Sequence, residues 1–389
     1  MKNILVITGG FPTASQTFVT REVASMLDKG FNVTVLCSNE GDDMGKNLFS
    51  ELECQRCKVI CVDFFSRHLP FTKGIARTFP HFPKQYYGYD WTIRKLGYFN
   101  KVIQKLSGKQ YDLIHAHFLE WGFNVALPLS KLLRVPFTVT VHDSHLEKYQ
   151  NSSLHAVQKE SVGIALVSDS WKTLWVEKTN NTHKLTTIYN GVEPEEFSIA
   201  KQSDERPIKI ILVSRLTERK RVADALEAMA VLIGKGYTVT LDVLGDGPLM
   251  GQLTKKRDDL GLQDIVTFHG FCPHKKVREM MARAHLFWHC SAYESFGIVI
   301  VEAMMCALPV VVANSPGAFD VTAQGAFGKL YEPNDINHLV HLTTPLLTSS
   351  SKRITVGTQL RDYSIAKFSW SLHMNTILSF WRFALKKSD

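Results

Sequence analysis

Two carboxylates eight positions apart, Glu294 and Glu302, enclose Ser295-Phe296-Gly297 and the apolar run Ile298-Val299-Ile300-Val301. Helix surfaces carry such glutamate pairs routinely, so the flanks give this one its meaning. Gly297 has no side chain, so a ligand can approach the backbone closely there. A helix starting at that point presents free N–H groups and a partial positive charge, a seat for phosphate. Glu302 falls about two turns further on and is expected on roughly the same face as Glu294 if both are helical. Its carboxylate can accept two hydrogen bonds from a vicinal diol such as a ribose.

Ser214-Arg215-Leu216-Thr217-Glu218-Arg219-Lys220 follows a β-branched run that reads as a strand. Arg215 is expected at the strand's carboxyl end, where open α/β sheets bind ligands, and Lys220 at the opening of the next helix. Two cations there can clamp a diphosphate, the arginine as a planar fork and the lysine as a point charge. They can equally be surface cations, although a helix start mildly disfavours positive charge. Leu244-Gly245-Asp246-Gly247-Pro248 reads as a tight strand-to-helix turn, and Phe268-His269-Gly270-Phe271 as the end of the strand after it. In the first half, Gly9-Gly10-Phe11-Pro12 ends the first strand and Ser15-Gln16-Thr17-Phe18 begins a helix. His115, His117 and His142 fall at the ends of the fourth and fifth strands, with Asp143 adjacent. One histidine at a strand end is more often structural; three at one sheet edge are better than chance. There is no GxGxxG, and the second strand ends Leu36-Cys37-Ser38 without an acid for a ribose, which argues against a dinucleotide site.

The stretch from Glu294 to Glu302 resembles the glutamate-x7-glutamate signature of retaining glycosyltransferases of the GT-B fold, family four. Arg215-Leu216 and Lys220 resemble that family's arginine-leucine-x3-lysine-glycine motif, with Arg221 in place of the glycine. Ser15 to Phe18 is similar to a serine-glutamate-threonine-phenylalanine variant of bacterial exopolysaccharide enzymes, with Gln16 replacing the acid. Asn190-Gly191-Val192 and Phe197 match the linker entry, and Asp320 stands where many members carry glutamate. The resemblance implies catalytic roles for His142, Arg215, Lys220 and Glu294. It implies donor and nucleotide contacts at Gly10, Gly245, Phe271, Ser295, Phe296, Gly297 and Glu302. On the acceptor side it implies Ser15, Thr17, His117 and Asp143. No Asp-x-Asp motif occurs, so no metal and no cofactor are expected. The substrate would be a UDP- or GDP-sugar, and the acceptor a lipid-linked saccharide in surface polysaccharide assembly.

These residues need two sheets to position them. At 389 residues the chain suits two domains, and 45% hydrophobic with 21% charged residues is ordinary for a globular enzyme. Strand-like and helix-like stretches alternate throughout, the pattern of parallel sheets covered on both faces. The expected architecture is α/β with two Rossmann-like domains facing a central cleft. Residues 1–190 form the first, 191–207 the linker and 208–368 the second, with the helical tail 369–389 packing back on the first domain. Strands are expected at Ile4–Thr8, Val33–Cys37, Val59–Val62, Leu113–Ala116, Phe137–Val141, Ile164–Val167 and Leu185–Ile188. In the second half they are expected at Ile208–Val213, Thr238–Val243, Ile265–Phe268, Leu286–Trp288 and Val310–Val312.

Seven cysteines, an odd number, argue for a reducing compartment, and Cys54-x2-Cys57 lacks the second module that structural zinc needs. The amino terminus reads as a buried strand and not a signal peptide. The net charge of +8 calls for an acidic partner, and no nucleic-acid motif is present. Residues Arg67–Lys105 interleave eight cations with nine aromatics and one acid, Asp90, the profile of a membrane-surface element or of a solvated loop. The resulting expectation is a cytoplasmic protein, peripheral on the inner face of an anionic membrane. A nucleotide-sugar 2-epimerase and a non-catalytic nucleotide-sugar-binding protein are the alternatives.

Overall fold

The computed structural model describes residues 2–65, 89–142 and 146–386. Its strands are all parallel and form two sheets, built from β-branched and aliphatic runs whose side chains are buried on both faces. The first sheet has the order β3-β2-β1-β4-β5-β6-β7. Its strands are β1 (Asn3–Phe11), β2 (Asn32–Glu40), β3 (Lys58–Cys61), β4 (Leu113–His117), β5 (Phe137–Val141), β6 (Gly163–Leu166) and β7 (Leu185–Thr187). The second runs β10-β9-β8-β11-β12-β13, from β8 (Ile208–Val213), β9 (Val239–Leu244), β10 (Val266–Phe268), β11 (Leu286–His289), β12 (Val310–Ala313) and β13 (Lys329–Tyr331). Both sheets reverse their winding at the centre, between β1 and β4 and between β8 and β11. In such sheets ligands sit outside the carboxyl ends at that reversal. The expected strands are all present to within a few residues at their ends.

Contacts divide the chain into two units, one of residues 1–167, 172–188 and 374–389, the other of 168–171 and 189–373. The stretch 191–207 belongs to the second unit, in which Phe197 and Ala200 are buried. The last helix, Trp370–Lys386, belongs to the first unit from Met374 onward, where Trp381 lies 4.9 Å from the His115 ring.

Among the elements that lacked a clear sequence signal are two of the second unit. Strand β13 is three residues at a sheet edge. The helix Ser350–Phe368 buries Arg353, Gly357, Leu360, Ser364 and Phe368, spaced as a helical stripe but mostly not apolar. Arg353 is fully buried and donates to Gln202 Oε1 and the Leu346 carbonyl, both at 2.8 Å, and to the Ser203 carbonyl, which meets the demand that a buried charge be hydrogen-bonded.

Of the basic, aromatic segment, residues 66–88 lie outside the described residues, as do the side chains of 89–94. The remainder lies in the helix Tyr89–Leu106, where Tyr98 and Phe99 are buried while Lys101 and Lys105 are exposed. Those two aromatics therefore serve the core and are unavailable to a membrane interface. Among the described residues no helix is long and apolar enough to cross a membrane. All seven cysteines are free thiols, and burial pushes Cys54 up to about 11 and Cys57 to about 12, so both are protonated at neutral pH.

His285, just before β11, is nearly buried, and its Nδ1 accepts from the Lys209 N–H at 2.9 Å. Burial, together with the charges of Arg353 and Lys209, lowers its pKa from 6.5 to about 4. A base with a depressed folded pKa takes up its proton more readily when unfolded. Its contribution to stability is therefore present above the unfolded value and is lost as pH falls from 6.5 toward 4. Calorimetric scans should show the unfolding temperature falling through that window. His285→Asn, which keeps an acceptor for Lys209 but cannot titrate, should flatten part of the fall.

Candidate functional site

In the second unit the loops after β8, β9 and β11 are tied to one another at the carboxyl edge. The Ser214 N–H donates to the Leu244 carbonyl at 3.0 Å, Leu216 to Asp246 at 2.9 Å, and Ala292 to Arg219 at 3.2 Å. Gly245 has φ +130, and a Cβ there would stand 1.9 Å from the Ser214 carbonyl oxygen. No other residue fits that close approach, so Gly245 is required by the loop geometry itself.

Glu294 is the centre of this edge. It precedes the helix Ile298–Met305 by four residues, so it does not share a helix face with Glu302, contrary to the expectation from spacing. The reason is Gly297, the N-cap, whose φ of +86 is a left-handed turn that only glycine adopts without strain. Glu294 is 9% exposed, and its side chain accepts from His289 Nε2 at 2.9 Å and is ion-paired to Lys220. Burial alone would push this carboxyl up. The His289 hydrogen bond and the Lys220 charge outweigh that, and hold it well below the usual carboxylate range. Burial lowers the His289 pKa, despite its bond to Glu294, with Lys220 and Arg219 adding to the fall. At neutral pH the cluster is thus a carboxylate, an ammonium and a neutral imidazole. The imidazole must carry its proton on Nε2, which leaves a lone pair on Nδ1.

Lys220 closes a 3₁₀ turn, Glu218–Lys220, and does not open the following helix, which starts at Val222. Between them Arg221 takes φ +48 as N-cap. That left-handed residue is costly for an arginine. Its guanidinium offsets the strain with two hydrogen bonds to Asp224, at 2.8 and 2.9 Å. Arg215, two residues past β8, is exposed, and among the described residues it has no acidic partner. Four further polar atoms at this edge are buried with no hydrogen-bond partner among the described residues: Ser214 Oγ, Arg219 Nη1, His289 Nδ1 and Ser315 Oγ. A free guanidinium beside unsatisfied donors and acceptors is an environment for an anion bearing hydroxyl groups.

Glu302 is engaged elsewhere. It pairs with His274 Nε2 at 2.9 Å, and His274 Nδ1 accepts from Arg278 at 2.9 Å. Arg278 in turn pairs with Glu196 at 2.8 Å. Phe296 is 2% exposed and packs on Tyr189 and Phe368, so its ring anchors the loop. Ser295 is half-buried in that loop, and Phe271 stands 60% exposed after β10. Asp320, in the helix Pro316–Val321, accepts from the Ser170 N–H at 2.7 Å and hydroxyl at 2.9 Å.

In the first unit Gly10 lies within β1, paired with Asn39 of β2. Ser15 is exposed in a short turn and Thr17 begins the helix Thr17–Asp28. His117 ends β4 and His142 follows β5, both buried, with His117 Nδ1 3.1 Å from His142 Nε2. Asp143 lies outside the described residues. His115, His117 and Glu22 have potential metal-ligand atoms within 4.8 Å of one another. Both ring nitrogens of His115 are, however, held by threonine hydroxyls, Thr138 at 2.8 Å and Thr140 at 3.2 Å. A groove of about 620 Å³ lined by Arg56, Lys58, Lys109 and Tyr111 opens at the opposite, amino-terminal edge of the sheet.

Sequence reading missed Glu22, His274 and His289. A strand-end histidine in Phe287-Trp288-His289 carried the same signal as His117. Glu22, beside Arg21 in an amphipathic helix, carried none.

Two family descriptions cover the chain in succession: Glycosyltransferase Family 4 matches residues 15–196, and Glycosyl transferases group 1 matches residues 194–361. The amylovoran biosynthesis glycosyltransferase AmsK of Erwinia amylovora is 22% identical over 85% of this chain and 86% of its own length. The putative colanic acid biosynthesis glycosyltransferase WcaL of Escherichia coli K12 is 23% identical over the same shares. The fold matches Anabaena Alr3699/HepE in complex with UDP and glucose, at 21% identity and a TM-score of 0.78, over 98% of this chain and all of that one.

Lys220 and Glu294 form a buried pair, so removing one partner leaves an uncompensated charge. In urea unfolding, Lys220→Met is expected to cost about 3–5 kcal/mol. Adding Glu294→Gln should recover most of that loss. Equal stability of parent and Lys220→Met would mean the pair does not hold the loops.

Proposed function

We propose that this chain, which belongs to the two-part glycosyltransferases of family 4 and group 1, moves a sugar from a UDP- or GDP-sugar to a hydroxyl of a lipid-linked saccharide. Transfer retains the anomeric configuration and needs no metal ion. The observation that carries this reading is the arrangement after β8 and β11. Arg215 is an exposed cation without an acid, beside a Lys220–Glu294–His289 cluster already neutral within itself. A diphosphate needs added positive charge, and Arg215 is the group able to supply it without breaking the buried pair. Lys220, ion-paired to Glu294, adds a second cation as the leaving group develops charge. Glu294, ionised, accepts hydrogen bonds from donor-sugar hydroxyls, and Gly245, Ser295 and Gly297, with little or no side chain, leave the backbone approachable for the phosphates.

Glu302 would hold the ribose, with His274 as its fixed partner. In the first unit, the family resemblance assigns His142 to the transferred sugar and Ser15, Thr17 and His117 to the acceptor. UDP in the Anabaena neighbour supports a nucleotide-sugar donor, and the names of AmsK and WcaL support a surface polysaccharide as product. A lipid-linked acceptor would place the enzyme on the inner face of an anionic membrane, reached through exposed cations such as Lys101 and Lys105.

Loss of a stabiliser of developing charge costs about 100-fold or more in turnover, and Arg215→Ala and Lys220→Ala should each do so. Activity in EDTA should match that in buffer alone. Near-parental turnover in both variants, or a requirement for manganese, would overturn the clamp. Release of an epimerised nucleotide sugar from donor alone would instead identify an epimerase.

Glu302→Ala should weaken nucleoside-diphosphate binding by about 1.5–3 kcal/mol, as for a lost charged hydrogen bond. Unchanged binding in a calorimeter would remove the ribose assignment.

A further inference from the structure

The groove at the amino-terminal edge of the first sheet measures about 620 Å³, within the roughly 300–1,000 Å³ of small-molecule sites. It opens where β1, β2 and β3 begin, beside the loop that precedes β4. Strand β1 starts there at Asn3 and ends at Phe11, which puts the groove roughly 25 Å from the carboxyl edge of the same sheet. Arg56, Lys58 and Lys109 line it, and among the described residues no acid does. A cleft lined by one sign of charge focuses its field on an entering ion of the other sign.

The contacts of these cations leave most of their charge uncompensated. Lys58 donates to the Lys105 carbonyl at 3.3 Å, in the last turn of the helix Tyr89–Leu106. A helix end carries about half a negative charge, which offsets only part of one cation. Lys109 donates to the Thr34 hydroxyl at 3.4 Å, a neutral acceptor. Arg56 meets Asp28 at 3.8 Å, with side chains 69% and 74% exposed, where water screens such a pair. Asp112, just before β4, is taken up by the N–H groups of Lys2 and Asn3 at 2.6 and 2.9 Å and lines no part of the groove.

The remaining polar side chains set the rest of the ligand. Asn32 Nδ2 donates to Asn3 Oδ1 at 2.9 Å, which orients the two amides and leaves an acceptor on Asn32 and a donor on Asn3. Gln110 adds an exposed amide. An amide donates and accepts, and so does a hydroxyl, so the two suit one another. A phosphate monoester carries about −1.5 to −2 charge at neutral pH and three acceptor oxygens, which match two ammonium groups and the fork of an arginine. We propose that this groove binds a soluble phosphorylated sugar, its phosphate on Arg56, Lys58 and Lys109 and its hydroxyls on Asn3, Asn32 and Gln110. The site is distinct from the carboxyl edge of the sheet, and its assignment does not depend on the glycosyl-transfer reading.

Calorimetric titration of the full chain with glucose 6-phosphate and with ribose 5-phosphate, at low salt, tests the site. At least one of them should bind, one molecule per chain, while glucose and ribose should not. Rising salt should weaken the binding. Lys58→Gln combined with Lys109→Gln should weaken it by roughly tenfold or more, as when charged hydrogen bonds are lost. Arg56→Gln, a change at an exposed side chain, should weaken it too, so the result does not hang on the folding of the double variant. Arg215→Ala should bind the sugar phosphate as the parent does, which separates this groove from the cationic edge of the second unit. Binding lost in Arg215→Ala but kept in the lysine variant would overturn the proposal, as would failure of both sugar phosphates to bind the parent. Binding to phosphatidate vesicles that the lysine substitutions abolish, with neither sugar phosphate bound, would also overturn it and give these cations to a membrane surface.

Discussion

An ionised glutamate in a place that water scarcely reaches organises the second unit. Glu294 stays charged because His289, the last residue of β11, donates to it and Lys220, from the turn after β8, neutralises it. These two strands are neighbours at the reversal of the sheet, so one carboxylate ties together the loops that any ligand at that edge would meet. Loss of Glu294 would release two loops at once. Satisfying Glu294 from within the protein also leaves Arg215 outside the balance, and that exposed guanidinium is the positive charge on offer to a ligand.

Backbone conformation serves the same end. The left-handed turn at Gly297 swings Glu294 away from the helix that carries Glu302, and so gives the two glutamates different partners. The left-handed Arg221, braced by Asp224, ends the turn that aims Lys220 at Glu294. An arginine here does by side-chain hydrogen bonding what glycine does by lacking a Cβ. That accounts for a motif departure that could have signalled a different turn. In the first unit the equivalent edge is built from histidines at the ends of β4 and β5, backed by a carboxylate from the first long helix.

The sheets were readable because buried parallel strands are runs of valine, isoleucine and leucine, which local sequence displays directly. The residues at the carboxyl edges of the sheets were readable where a strand end was followed by glycine, arginine or histidine, as at Val213-Ser214-Arg215 and His117. The helix Ser350–Phe368 was not, because most of its buried face is arginine, glycine and serine, and a buried arginine is accounted for only once its distant partners are known, such as Gln202 for Arg353. Glu22 was hidden for the same reason. A glutamate beside an arginine looks solvated until β4 brings His117 against it. The eight-residue spacing of Glu294 and Glu302 was visible, but the assumption of one continuous helix failed at Gly297.

On this reading the edge formed after β8 and β11 binds a nucleoside diphosphate through protein cations alone. Calorimetric titration of the full chain with UDP and with GDP in EDTA, at rising salt, tests it most directly. Saturable binding of one nucleotide per chain is expected, weakening as salt screens Arg215 and Lys220. Absence of binding by both nucleotides, or binding that appears only when manganese is added, would contradict it.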